Sequence, residues 1–110
     1  MWITIDRGEW HSGVPLEESQ VAIARDGTLT FCAELLKSVG IDQFATLVAD
    51  PDTLRIGVHK PKEHELARAV RVHVVKNSKG KDSGRRSVRA TRAFRALCLE
   101  PLACAGRHDG

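Results

Sequence analysis

The chain has 110 residues, 42% of them hydrophobic and only 5% aromatic, with Tyr absent. That is the length of one domain with a small core built on Val, Leu, Ile and Ala. The net charge of +3 is uneven: residues 1–70 carry 7 Lys/Arg against 11 Asp/Glu, and residues 71–110 carry 10 against 3. No apolar run approaches the roughly 18 residues of a membrane span, and the opening MWITIDRGEW lacks the build of a signal peptide. Three cysteines without a CxxC spacing suit a reduced, cytoplasmic protein better than a disulfide framework.

WITI reads as a short strand, and EWHSGVPLEES as a polar loop. QVAIARDGTLTF holds two apolar runs around Asp26-Gly27, a strong hairpin signal. A strict two-residue turn would place Val21 and Ile23 on the opposite face from Leu29 and Phe31. One extra residue, with Gly27 in the left-handed conformation as a bulge, brings all four to one face. CAELLKSVGID is a short helix, with Phe31, Leu35, Leu36 and Val39 on one stripe and Glu34, Lys37 and Ser38 opposite. Gly40 sits where a C-terminal glycine cap belongs.

FATLVADPDTLRIGVHK is a second hairpin, turning at Asp50–Thr53. Its return strand is expected to send Leu54, Ile56 and Val58 inward and Arg55 and His59 outward. PKEHELARA forms one or two helical turns. AVRVHVVK is a further strand, with Val70, Val72 and Val74 on one face and Arg71 and His73 on the other. NSKGKDSG reads as a loop.

RRSVRATRAFRALCLEP, residues 85–101, places Ala90, Phe94, Leu97 and Cys98 within roughly 100° of a helical wheel. Arg85, Arg89, Arg92 and Arg95 lie opposite. Arg86 and Val88 also suit a strand leading into a helix from about Thr91. Cys32 and Cys98, on apolar helical positions, are expected in the core. The tail, residues 102–110, shows no periodicity and is expected to fray. The expected fold is a single small α+β domain over 1–110, made of short antiparallel hairpins with two short helices.

TLTFCAELLKSVGID and RSVRATRAFRALCLE suggest an internal duplication. Leu36, Val39, Ile41 and Asp42 match Phe94, Leu97, Leu99 and Glu100 at a constant offset of 58. Four such matches are also what two unrelated amphipathic helices share. The order strand, loop, strand, short helix then occurs twice, in units 21–62 and 70–101.

The first unit resembles the AbrB/MazE-type swapped-hairpin family. The elements that carry the resemblance are the strand Val21–Arg25, Gly27, the strand from Thr28 to Phe31, and the Ala33–Val39 helix. Gly40-Ile41, the strand from Ala45 to Ala49, the acidic turn Asp50–Asp52 and the strand from Arg55 to Lys60 complete it. The resemblance implies a DNA-binding regulator or antitoxin assembled as an interlaced dimer. Two positions depart from the family pattern: Gly27-Thr28 stands where Gly-Arg is usual, and Cys32-Ala33 where Pro-Lys is usual. The family's basic contacts are therefore largely missing here, with Arg25 alone in that neighbourhood. A second copy within the chain would supply the half that the family obtains by dimerisation.

Lys76, Lys79, Lys81, Arg85, Arg86, Arg89, Arg92 and Arg95 face a single acid, Asp82. Lys and Arg neutralise phosphates and release counterions, so this set suits the backbone of duplex DNA. Phe94 is the one aromatic nearby and lies on the apolar face, which disfavours stacking on single strands. The same charges also suit a solvated face, or an assembly module whose acidic and basic halves meet within one chain, in a homodimer or with a protein partner. His59, His64 and His73 fit no zinc spacing and read as outward residues beside Arg55 and Arg71. GxSxG, HExxH and a phosphate-cradling loop are all missing. No catalytic residue, metal, cofactor or small-molecule substrate is expected. Trp2 and Trp10 are read as a clamp on the N-terminal strand, with Trp10 as a partner anchor in the alternative.

Overall fold

The computed structural model describes residues 1–5, 20–101 and 105–109. The described chain forms β1 (Trp2–Thr4), β2 (Gln20–Ile23), β3 (Thr28–Cys32), α1 (Ala33–Ser38), β4 (Phe44–Asp50) and β5 (Arg55–His59). A 3-10 segment (Glu63–Arg68), β6 (Val70–Arg71), β7 (His73–Lys76), β8 (Asp82–Arg89), α2 (Thr91–Ala96) and β9 (Gly106–Asp109) follow. Two antiparallel sheets result, one in the order β1-β5-β4-β6 and the other β7-β8-β3-β2-β9. The fold is α+β. One buried cluster joins both sheets to the helices: Ile3, Ile56 and Val58 from the first sheet, Val21, Leu29, Phe31 and Val88 from the second, Leu36 and Phe94 from the helices.

The first hairpin turns as its four apolar residues require. Ala24 N–H donates to Thr28 O (2.9 Å), Gly27 N–H donates to Ala24 O (3.0 Å), and Gly27 takes φ +90°. Val21 then lies opposite Phe31 and Ile23 opposite Leu29. All four are buried. Gly27 is also a packing position, since a Cβ there would stand 3.3 Å from Pro101 Cγ and 3.6 Å from Phe94 Cδ2.

Both helices end in the same way. Gly40 takes φ +77°, its N–H donates to Lys37 O (3.1 Å), and Ile41 N–H reaches back to Leu36 O (2.9 Å). Cys98 takes φ +55°, its N–H donates to Arg95 O (3.0 Å), and Leu99 N–H reaches Phe94 O (3.1 Å). These are the paired bonds of a Schellman cap. The cap explains why Cys98 departs from its expected core position: the left-handed turn swings it out of the helical stripe, and it is exposed. Cys32, by contrast, is half-buried at the end of β3.

Four further expectations are corrected. Leu54 does not follow Ile56 and Val58 inward: it ends the β4–β5 turn at φ +52°, its carbonyl accepts from Ile5 N–H (2.8 Å), and its side chain is exposed. AVRVHVVK is not one strand. It pairs with β4 as far as Arg71, then crosses at Val72, whose N–H donates to Gln43 O (2.8 Å), and pairs with β8 from His73. Val72 is buried, but Val74 lies beyond the edge of the core and is exposed. NSKGKDSG is a loop only through Lys81, because β8 already begins at Asp82. The tail does not fray throughout: Gly106–Asp109 pairs with β2, with His108 buried opposite Val21. The tail's lack of periodicity hid a strand whose ladder bonds go to a sheet edge built 83 to 89 residues earlier in the chain. EWHSGVPLEES, with Trp10, lies outside the described residues.

The shared cap generates a stability test. A non-glycine residue in the left-handed region is strained by about 1–2 kcal/mol, partly offset by the unfolded-state entropy that glycine adds. Cys98→Gly is expected to raise unfolding free energy by about 0.5–1 kcal/mol, and Gly40→Ala to lower it by about 1 kcal/mol. Urea denaturation of the two variants checks both signs.

Candidate nucleic-acid interface

The eight basic residues singled out in the sequence fall on three consecutive elements. Lys76 closes β7, Lys79 and Lys81 occupy the β7–β8 turn, Arg85, Arg86 and Arg89 lie on β8, and Arg92 and Arg95 on α2. The hairpin is scaffolded by its own polar side chains. Asn77 Oδ1 accepts from Lys79 N–H (2.9 Å) and Lys81 N–H (3.1 Å), and Ser83 Oγ donates to Val75 O (2.5 Å). Residues 76–85 are exposed throughout, so no apolar packing explains this order.

Register decides where the arginines of β8 point. Val88 is buried opposite Leu29, so Arg85, Ser87 and Arg89 occupy the outer face of the sheet. Arg86 shares the inner parity of Val88, lies opposite the buried Phe31 and is itself half-buried. Its guanidinium makes a two-pronged pair with Asp82, at 2.8 and 2.9 Å. That pair, joined by the Gly84 N–H, holds the Asp82 carboxyl below the usual carboxylate range. Arg86 is thus a hairpin strut, and the other seven basic residues are exposed. Among the described residues none of those seven is in an ion pair, since the pairs found are Arg86–Asp82 and Arg55–Asp50. Both pairs stay within one half of the chain, so they do not dock the acidic half on the basic half.

A cleft of about 490 Å³ lies where α2 faces the end of the 3-10 segment. Arg68, Arg89, Arg92 and Arg95 border it, Leu47 and Val70 contribute to its apolar lining, and among the described residues no acid lines it. Arg68 was not among the residues selected from the sequence. It belongs to the acidic half, where a charge tally by region dilutes it, and only the return of the chain past β4 brings it to α2. The 3-10 segment that carries it is held by Glu65, whose Oε1 accepts from Lys62 N–H (3.0 Å).

The three histidines do not converge. His59 is on the outer face of the first sheet, His73 on the second sheet, and His64 is exposed on the 3-10 segment. Trp2 lies across Gly57, its ring 5.2 Å from the Arg55 guanidinium and 5.5 Å, edge-on, from His59. A Cβ on Gly57 would come within 2.7 Å of both His59 Nε2 and Val48 Cγ2. It would also stand 3.0 Å from Trp2 Cζ3, so this packing needs glycine at 57, and the clamp expected of Trp2 and Trp10 together falls partly on Trp10, outside the described residues. Comparison with known proteins returns no matching family model, no similar curated protein and no similar solved structure.

His59 titrates below the ordinary imidazole value of 6.5, first because burial disfavours the charged ring and then because the N-terminal ammonium repels it. A lowered folded value means that the unfolded chain binds the proton more readily. The contribution to stability is complete above pH 6.5 and declines as pH falls through the lower folded value. Asp26, Asp50 and Asp82 also have lowered values and lose their contribution only below the carboxylate reference of 3.8. His59→Gln is therefore expected to flatten the upper part of the stability–pH curve, just below pH 6.5, and to leave the carboxylate part intact. Urea denaturation over a pH series measures this.

Proposed function

We propose that this protein binds duplex nucleic acid through its phosphates, as a small regulatory DNA-binding protein. The observation that carries the reading is the run of seven exposed cations from Lys76 to Arg95, outside any ion pair among the described residues. Cations left without acids on a scaffolded hairpin and an adjoining helix suit a polyanion, because each phosphate neutralised releases condensed counterions. Phe94, the aromatic on the elements that carry these cations, is buried in the core, which favours duplex over single strands.

The swapped-hairpin reading supports the same function. Two strand–strand–helix units meet at β3 and β8, and both helices close in the same Schellman cap at an offset of 58 residues. At the same offset Arg85 and Arg86 stand where the first unit has Gly27 and Thr28, so the second unit carries basic residues that the first lacks. In this reading one chain holds two related halves, and the DNA-contacting residues have been retained in the second. The alternative, an assembly module, draws support from the outer face of the first sheet, where Trp2, Phe44 and Val48 are exposed.

Binding to labelled duplex DNA across a salt series tests the proposal. Five phosphate contacts give a slope of log K against log salt of about −4 to −5. Arg89→Ala/Arg92→Ala/Arg95→Ala should make that slope shallower by about 3. Absence of binding at low salt would sink the proposal, and a concentration-dependent mass that collapses in salt would favour assembly.

A further inference from the structure

The cleft beside α2 differs from the rest of the basic surface in being concave and in drawing its cations from two separate parts of the chain. Arg89, Arg92 and Arg95 come from the end of β8 and from α2, while Arg68 comes from the 3-10 segment across the gap. Arg92 and Arg95 are three residues apart, so they project to the same side of the helix. Four guanidinium groups around one cavity, with no acid among its described lining residues, repel one another, and an entering anion relieves that repulsion. Each guanidinium offers a planar fork that matches two phosphate oxygens.

The lining is not all charge. Leu47 and Val70 on one side and Ala90 and Ala93 on the other provide apolar surface between the arginines. The volume of about 490 Å³ is that of a small-ligand site rather than of a single ion. Phosphate on the arginines with a flat, weakly polar group against the apolar wall fills both kinds of surface. We infer that this cleft binds a nucleoside phosphate. Because Arg89, Arg92 and Arg95 also belong to the duplex-contacting run, an occupied cleft competes with duplex binding. That competition rests on the duplex reading; the nucleotide site itself does not.

Calorimetric titration of the full chain at low salt with ADP, adenosine and orthophosphate tests the site. ADP is expected to bind saturably at one site, more tightly than orthophosphate, while adenosine gives no saturable heat. Arg68→Ala should weaken ADP by at least about tenfold, the loss of a charge-assisted hydrogen bond. Lys79→Ala removes the same charge from the hairpin turn and should leave ADP within about twofold of the parent. Arg68 is exposed, and unchanged circular dichroism of its variant verifies the fold. Equal losses in the two variants would mean diffuse charge attraction and overturn the site, as would orthophosphate matching ADP. Adding ADP to the duplex complex should displace the DNA. Duplex binding without ADP binding overturns this site alone, and ADP binding without duplex binding overturns the proposed function while the site stands.

Discussion

The antiparallel pairing of β3 with β8 holds the two halves of the chain together, and it does so through backbone bonds rather than charge. Thr28 to Cys32 run against Arg89 to Arg85 in unbroken register. Without this seam β7 and β8 are left as a lone hairpin, a unit that is marginal in water on its own. With it, Leu29, Phe31 and Val88 form one apolar surface that meets Ile3, Ile56 and Val58 of the opposing sheet. The seam continues past the strands. Ala90 N–H donates to Gly27 O (3.0 Å), which carries α2 onto the first hairpin, where Gly27 leaves room for Phe94 and Pro101.

The distribution of charge follows from that register. Once Val88 is committed to the core, its alternating neighbours Arg85 and Arg89 must face outward, and α2 begins with its arginines on the same flank. Arg86 has the inner parity, opposite Phe31, and Asp82 satisfies its charge at the edge of the core. The placement of this basic surface thus follows from how the core is built, and seven of its cations are exposed and outside any ion pair among the described residues.

Local signals in the sequence were reliable and long-range ones were not. The Gly27 bulge was legible because four apolar residues share one face only if one residue is inserted, and the Gly40 cap because helix ends carry chemical markers. Cys98 was misplaced because it fills a left-handed position without being glycine, so nothing in its side chain announced the turn. The break at Val72 was invisible because the sequence alternates without interruption from Val70 to Val74. Only the presence of two sheets to serve, through β4 and then β8, divides it. The candidate interface was legible in seven of its cations, since they are contiguous in the sequence, whereas Arg86 became a strut through Asp82 and Arg68 joined only through tertiary folding.

The seam also sets a timetable for a chain that emerges from its N-terminus. Leu29 is made long before its partner Val88, 59 positions later. At ordinary synthesis rates that interval is roughly 3–12 s, far longer than a hairpin needs to form. For those seconds the β2–β3 hairpin has an open edge and an uncovered apolar face, the features that invite pairing with another chain. Arg25, Asp26 and the threonines on either side of Leu29 keep part of that early surface polar. In a nascent chain, residues 71–110, which carry the excess of basic charge, arrive last and bring with them the strand that makes the earlier ones safe.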